Sequence, residues 1–196
     1  MACFHDVHGN NLEFSSGRRV ATRRDNTFDC GVCALNFPLF DPSFSTDGDS
    51  VSPLNRVQLR VTRTDSHWKG GLGIGLSPQP PVPDALPESS RDADEGWAFV
   101  QVPQEVLGVG TLVTLWVDFS TRELCYETSD NAPGDLNEDE DDDDDDYNEN
   151  NGELQLDDPI ILDCIDNNME LWLYVDIYGF VTEVELIGVH IDLIGL

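Results

Sequence analysis

Turn-forming residues recur so closely along this chain that they leave little room for helices. The tripeptides His8-Gly9-Asn10 and Ser15-Ser16-Gly17 are separated by only four residues. Glycine and asparagine adopt positive φ at little cost, which makes both tripeptides natural corners of the chain. The intervals between such corners fit short strands, because a helix that packs in a globular protein usually needs roughly ten residues or more.

The apolar runs alternate with polar residues, as in strands that bury one face. Residues 57–63 place three apolar side chains on one face and polar ones on the other, and residues 72–76 repeat this period with glycine outside. Hairpins are expected where residues 111–119 meet 124–126 and where 171–177 meet 181–187. Many short strands at spacings of about 8–12 residues predict an all-β sandwich or barrel rather than an α/β fold. The only helix candidate is one turn at residues 104–107.

Two segments depart from this pattern. Residues 77–87 contain five prolines, which cannot join a central ladder, so an extended surface loop is expected there. Residues 131–158 are acidic and of low complexity, with an unbroken acidic run from Glu138 to Asp146. Such a segment cannot bury enough apolar area to offset its ordering entropy. We therefore predict an all-β domain formed by residues 1–130 and 159–196, interrupted by a disordered acidic insert at 131–158.

The formal net charge of −29 is concentrated in that insert. Nucleic acid is not an expected partner, because the acidic segment would repel another polyanion. No stretch approaches the ~18 uninterrupted apolar residues that cross a bilayer, so membrane contact should be peripheral at most. The five cysteines are an odd number and no apolar leader follows Met1, so we expect a reduced, cytoplasmic protein.

Several segments together resemble one known family. The opening residues 4–12 and 18–23 are followed by Trp68-Lys69-Gly70-Gly71-Leu72-Gly73-Ile74-Gly75, which has the form Trp-x-Gly-x-Leu-x-x-Gly. Later come Gly96-Trp97, then Leu171-Trp172 and the turn Asp176-Ile177-Tyr178-Gly179. The chain resembles the neuralized homology repeat (NHR) over nearly its whole length except the acidic insert, which replaces a short segment of the family.

The resemblance implies a SPRY-like antiparallel β-sandwich that recognises other proteins. Such repeats occur in E3 ubiquitin ligases that act on Notch ligands and in related scaffold proteins, where a separate RING domain delivers ubiquitin. The cysteine spacing here does not supply the paired zinc sites of a RING. We therefore expect a binding module without enzymatic activity or cofactor. Its expected partner is a short peptide, such as the cytoplasmic tail of a Notch ligand.

Five residues are predicted to contact that partner. The guanidinium groups of Arg23 and Arg24 suit carboxylate or phosphate, whether on an acidic peptide or on a lipid headgroup. Trp68 stands at a strand entry where a part-exposed indole anchors a peptide, and Tyr178 lies at a hairpin tip. Asn11 completes the set at the first turn. Because Arg18, Arg19, Arg23 and Arg24 surround one short strand, several of them are expected to project to the same exposed edge.

The remaining candidate sites favour structural explanations. Cys30 and Cys33 form a C-x-x-C, but small buried hydrophobes explain them better than zinc or redox chemistry. His5 and His8 flank an aspartate, and turn hydrogen bonds explain them better than catalysis. Asp146 begins a poor match to a calcium loop, lacking its glycine and its flanking helices. No catalytic or metal-binding residue is therefore predicted.

Two other functions stay open at this stage. The acidic tract could act as a chaperone or buffer of basic proteins such as histones, with the sandwich as its carrier. A lectin-like carbohydrate binder would share the sandwich shape, although no residue specifically supports it.

Trp116 and Trp172 lie inside apolar strands, and we expect both in the core.

Overall fold

The computed structural model describes residues 1–24, 30–40, 54–83, 86–89, 98–118, 123–130, 160–161 and 170–192. They form two antiparallel sheets, a five-stranded sheet of order β1-β4-β11-β6-β7 and a seven-stranded sheet of order β10-β9-β8-β5-β12-β3-β2. The strands are β1 (Phe4–His8), β2 (Leu12–Ser15), β3 (Val20–Arg23), β4 (Val32–Leu35), β5 (Leu54–Thr64), β6 (Leu72–Ser77), β7 (Ala98–Val102), β8 (Thr111–Asp118), β9 (Glu123–Asp130), β10 (Ile160–Ile161), β11 (Trp172–Ile177) and β12 (Val181–Asp192). The predicted all-β antiparallel sandwich is confirmed.

The core lies between the sheets and follows the predicted alternation. On β5, Val57, Leu59 and Val61 are fully buried, and on β11 Leu173 and Val175 face them from the other sheet. Burying each such side chain contributes about 1.5–3 kcal/mol. The predicted helical turn is a 3-10 turn at Gln104–Val106. Among the described residues no helix is long and apolar enough to span a bilayer.

The proline-rich segment contacts the outer face of the five-stranded sheet. Tyr174 points outward from β11, yet it is 1 % exposed, and its hydroxyl donates to the carbonyl of Gln79 at 2.9 Å. Leu86 packs against the same outer cluster, and the backbone N–H of Cys30 donates to the carbonyl of Glu88. This segment, expected to be an extended surface loop, therefore contacts the outer face of one sheet at Tyr174 while several of its described residues stay exposed.

Trp116 and Trp172 are not core residues, so that prediction is wrong. Both are half-buried on outer faces, because their strand neighbours Leu115 and Leu173 point inward. The guanidinium of Arg56 lies 5.3 Å from the Trp116 ring centre, a cation–π contact. The acidic insert at residues 131–158 lies outside the described residues, so its predicted disorder stays a prediction.

Candidate functional site

Several connecting loops meet at one end of the sandwich. β5 ends where β12 begins, because Thr64 pairs with Val181, and β11 ends where β6 begins, because Ile177 pairs with Leu72. The antiparallel pairing of the other strands brings their connections to the same end. We call this end the loop face; it consists of residues 9–11, 65–71, 103–110 and 178–180, with Arg23 and Arg24 at the end of β3.

The β5–β6 loop is fixed against the β11–β12 turn. The backbone N–H of Asp65 donates to the carbonyl of Phe180 at 2.8 Å. Gly179 has φ +62°, and a Cβ there would lie 2.3 Å from the carbonyl oxygen of Lys69, so only glycine fits. The Tyr178 ring packs directly on Gly70. These contacts order the loop before any partner arrives.

Hydrogen bonds within the β5–β6 loop then position Trp68. The carboxylate of Asp65 accepts from the backbone N–H of His67 at 3.0 Å and contacts its Nδ1 at 2.8 Å. The backbone N–H of Trp68 donates to the Asp65 carbonyl at 3.2 Å. The backbone hydrogen bond from His67, followed by its side-chain hydrogen bond, lowers the pKa of Asp65 below its ordinary value. These hydrogen bonds therefore fix the backbone turn that carries the half-buried Trp68.

Three of the five predicted contact residues are buried in this frame. Arg23 is 5 % exposed and donates from Nη2 to the carbonyl of Gly179 at 2.9 Å. Asn11 is 6 % exposed; its N–H donates to the Cys30 carbonyl, and its own carbonyl accepts from Arg24 at 2.8 Å. Tyr178 is 4 % exposed. The side chains of these three residues are therefore mostly enclosed within the loop face.

The other two predicted residues reach the surface. The Arg24 side chain is 54 % exposed, and its Nε lies 3.5 Å from a carboxylate oxygen of Glu13, an exposed pair of little energetic weight. Trp68 is half-buried. All five predicted residues thus lie at one end of the molecule, and Arg24 and Trp68 are the more exposed of them. Contact of any of the five with a partner stays a prediction.

A groove of about 370 Å³ lies beside this loop, and we call it the arginine groove. Its lining includes two residues that the sequence did not single out as contacts, Arg63 and His67, which are both exposed. Arg63 donates from Nε to the hydroxyl of Thr182 at 3.1 Å. The full lining is Arg23, Arg24, Arg63, Thr64, Asp65, Ser66, His67 and Thr182.

Arg63 reaches the groove because the pairing of β5 with β12 shifts twice. β12 carries one extra residue at Thr182, and β5 carries one at Thr62, so Arg63 pairs with Glu183 out of the regular alternation. Regular alternation would have aimed Arg63 inward after Val61. Such bulges redirect side chains and are frequent beside binding sites. Strand periodicity alone gives no sign of this pair of shifts.

A second concavity, of about 340 Å³, flanks the other side of the same loop. Lys69 and Glu105 are its only charged lining residues among those the structure describes, and their charges are opposite. The Gln104 side-chain oxygen accepts from the backbone N–H of Gly70 at 3.2 Å, which ties the β7–β8 connection to the loop. The arginine groove is therefore the more strongly charged of these two concavities.

The prediction that several of the four N-terminal arginines project to one exposed edge is wrong, because Arg24 is exposed while Arg18 and Arg19 are half-buried and Arg23 is buried. Arg18 and Arg19 lie at the opposite end of β3 from Arg23 and Arg24. Arg18 pairs with Asp6, and Arg19 donates to the carbonyls of Leu186 and Ile187. β3 is only four residues long, but it is extended and separates the two pairs.

The cysteine and histidine candidates have structural surroundings. Cys33 is fully buried, and burial raises the pKa of its thiol far above the ordinary range, with Asp176 adding to the shift. Cys30 is half-buried. His8 contacts the Phe14 ring edge-on at 4.5 Å. In the described ranges, no three His, Cys, Asp or Glu residues are grouped to hold a metal ion.

The fold is that of known NHR structures. A crystal structure of the Neuralized NHR1 domain of Drosophila melanogaster is 19 % identical, with a TM-score of 0.67 over 95 % of this chain and 98 % of that one. A solution structure of the NEUZ (NHR) domain of Drosophila melanogaster Neuralized is also 19 % identical, with a TM-score of 0.64 over 95 % and 90 %. The SPRY domain of human HERC1 is 13 % identical and aligns over 98 % and 99 % at a TM-score of 0.47.

The sequence itself matches a family model. No curated protein sequence matches the chain. The Neuralized family model, however, matches residues 4–141 of its 196 residues, which is well over half of the chain. The predicted resemblance is confirmed, and the fold is the two-sheet antiparallel β-sandwich of the NHR structures. This chain belongs to the Neuralized family and contains its NHR domain.

Proposed function

We propose that the loop face binds a short peptide of a partner protein. NHR domains are protein-interaction modules, and this chain is such a binding module. The observation that carries the proposal is the arginine groove next to Trp68, both on a loop fixed by Asp65 and Gly179. A concave surface with arginines beside a tryptophan suits peptide recognition, because tryptophan and arginine are enriched among the residues that dominate binding energy.

The rigid frame is expected to strengthen such binding. Ordering a loop on association reduces affinity, and here hydrogen bonds from Asp65 and the packing of Tyr178 on Gly70 fix the loop beforehand. Trp68 would supply the apolar anchor, since aromatic residues dominate the energetics of interfaces. Arg24 and Arg63 would supply hydrogen-bond donors around it.

The partner we propose is the cytoplasmic tail of a Notch ligand. In this proposal the chain is cytoplasmic and selects the substrate of an E3 ubiquitin ligase or scaffold, and ubiquitin transfer belongs to a RING domain. Support comes from family membership and from the exposed donors of the loop face. Asn11, Arg23 and Tyr178 would then contribute by holding the loops in place rather than by direct contact.

The test is an NMR titration of the ¹⁵N-labelled full chain with a synthetic Notch-ligand tail. Shifts should concentrate in residues 9–11, 65–71 and 178–180, and Trp68→Ala should weaken binding about tenfold or more. Trp116→Ala is the matched control, because it removes a half-buried tryptophan from the outer face of β8. Thermal unfolding verifies that both variants fold. Unchanged binding by Trp68→Ala, Arg24→Ala and Arg63→Ala would reject this surface.

A deletion separates the proposal from a function of the acidic tract. Removing residues 138–146 eliminates nine consecutive acidic side chains. Binding of the tail peptide should persist, while any binding of a basic protein such as histone should disappear. Loss of peptide binding in this deletion variant would instead assign recognition to the acidic tract.

A further inference from the structure

We propose that the arginine groove receives a phosphorylated serine or threonine side chain of the bound peptide. This inference rests on the proposed function, because it assigns a chemistry to one part of the same surface. It depends on two observations. Arg63 and Arg24 line the same groove, and the neighbouring carboxylates accept hydrogen bonds from other groups.

Two guanidinium groups are available at the groove. Arg63 is exposed, and within the described part of the chain its hydrogen bond goes from Nε to Thr182, which leaves its terminal nitrogens for a ligand. Arg24 is 54 % exposed, and its contact with Glu13 at 3.5 Å is long and solvated. A ligand anion can therefore replace Glu13 at little expense, since exposed pairs of this kind are weak.

The buried Arg23 adds a third guanidinium charge to the groove. Arg23 lines the groove while it donates to the Gly179 carbonyl, so its charge is held in place by the fold. The influence of Arg23 reaches the groove wall, because it contributes to the lowered pKa of Asp65. The lining thus carries three arginines against one carboxylate. This local positive charge stands out in a chain with a formal net charge of −29.

The nearby carboxylates are occupied by other donors. Glu183 pairs with Arg63 along the strands, but its carboxylate accepts from the hydroxyls of Thr22 at 2.6 Å and Thr62 at 2.8 Å. Asp65 accepts from the backbone and the ring of His67. Among the described residues, neither carboxylate forms an ion pair with Arg63, so its terminal nitrogens are available to a ligand.

Phosphate fits this arrangement better than a carboxylate side chain. A phosphorylated side chain carries about −1.5 to −2 charges at pH 7 and three strong acceptor oxygens. Arg63 lies on β5 and Arg24 directly follows β3, so the two can each bond a different oxygen of a tetrahedral group. A carboxylate offers two coplanar oxygens, which suit one guanidinium fork. The exposed hydroxyl of Ser66 and the ring of His67 are further donors on the rim.

A membrane headgroup would offer similar chemistry but fits the molecule less well. The groove is a concavity of about 370 Å³, which suits one inserted side chain rather than a flat lipid surface. An anionic membrane attracts proteins through clusters of several basic residues, whereas the net charge of −29 opposes its approach. Phosphopeptide binding is therefore the inference that we test.

The experiment compares three degenerate dodecapeptide libraries that differ only in a fixed central threonine, phosphothreonine or aspartate. Binding to the fluorescently labelled full chain is measured by anisotropy. We expect the phosphothreonine library to bind about 10- to 100-fold more tightly than the threonine library, with the aspartate library between them. Arg63→Ala should remove most of this preference, and Arg63→Lys should retain part of it, because lysine keeps the charge without the fork.

Arg60→Ala is the matched control. It removes the same charge from the same strand, but Arg60 pairs with Glu185 at 3.4 Å and does not line the groove. Its preference for phosphothreonine should equal that of the unmodified chain. Equal loss in Arg60→Ala and Arg63→Ala would show a general charge effect and overturn the inference, as would a phosphothreonine preference that survives Arg63→Ala in a folded protein.

The possible outcomes of this experiment distinguish a failure of this inference from a failure of the proposed function. If the threonine and phosphothreonine libraries bind equally and Trp68→Ala weakens both, the groove inference fails and peptide recognition stands. If no library binds in a Trp68-dependent way, the proposed function fails. Vesicles containing phosphoinositide provide the last arm. Vesicle binding that Arg63→Ala abolishes, without phosphothreonine preference, would assign the groove to lipid and overturn the inference.

Discussion

Two arginine pairs stand at opposite ends of β3, and their sequences are alike while their surroundings differ. In each pair one arginine caps carbonyls of the β11–β12 hairpin: Arg19 bonds Leu186 and Ile187, and Arg23 bonds Gly179. The other member forms an exposed ion pair, Arg18 with Asp6 and Arg24 with Glu13. The identical dipeptide therefore performs the same structural task twice, once at each end.

The difference between the two ends comes from what surrounds the arginines. Beside Arg23 and Arg24 the chain adds Arg63 and the fixed β5–β6 loop, which together create a concavity. Arg18 and Arg19 stand at the β2–β3 turn, where a Cβ added at Gly17 would meet nothing within 4 Å. A cluster of basic residues becomes a candidate site only where neighbouring backbone shapes a groove around it. Four predictions test this contrast.

The largest effect is expected from glycine substitution at the two ends. Gly179→Ala places a Cβ 2.3 Å from the Lys69 carbonyl oxygen at φ +62°. The clash and the backbone strain together should lower the free energy of unfolding by about 3 kcal/mol. Gly17→Ala has a similar φ of +66° but open space around it, so about 1 kcal/mol is expected. Urea denaturation measures both, and equal losses would contradict the packed loop face.

The carbonyl-capping arginines should matter about equally for folding. Arg19→Ala and Arg23→Ala each remove a charged donor from backbone carbonyls, for an expected loss of about 2 kcal/mol in unfolding free energy. Of the two variants, only Arg23→Ala should also disturb peptide binding, because Arg23 supports the loop face and Arg19 does not. Denaturation and peptide anisotropy measured on the same samples check this. Similar binding losses in the two variants would remove the functional distinction between the ends.

The exposed members of the two pairs should contribute little to stability. Arg18→Ala and Arg24→Ala break ion pairs whose carboxylates are 83 % and 63 % exposed, so each should change the unfolding free energy by less than about 1 kcal/mol. Raising the salt concentration should shrink even this difference, because exposed pairs are screened. A larger loss in Arg24→Ala would mean that Arg24 holds the frame as Arg23 does.

The smallest effect concerns the ionisation of Asp65. Hydrogen bonds from the backbone and then the side chain of His67 lower the pKa of Asp65 from its ordinary value of 3.8. A lowered folded-state pKa contributes stability that is present above the unfolded value and is lost as the pH falls from 3.8 through the folded pKa. Carboxyl ¹³C titration should therefore give a midpoint below 3.8, and His67→Ala should move it partly back. An unchanged midpoint in His67→Ala would contradict the side-chain contribution.

The sequence predicted the sandwich well because strand periodicity and turn residues are local signals. The expected strand at residues 57–63 lies within β5, and the expected hairpin at the carboxyl end is β11 and β12. The family resemblance also predicted that the contact residues lie at one end of the molecule. All five predicted contact residues lie at the loop face, since the motifs of the family include its turns.

The features that could not be predicted from the sequence depend on contacts between residues far apart in the chain. The burial of Arg23 follows from the Gly179 carbonyl, 156 residues away, which no local pattern indicates. Arg63 joins the site through two compensating register shifts, and strand alternation would have assigned it to the core side. Trp116 and Trp172 were misplaced because an apolar run does not tell which residue of each neighbouring pair faces inward.

The open turn at Ser16 and Gly17 makes a convenient handle for immobilisation. Ser16 already carries a side chain at positive φ and is exposed, so a cysteine there would add no new strain and would accept a biotin or a fluorophore. Attached to a sensor chip through this turn, the molecule would direct its arginine groove away from the support and into the flowing analyte.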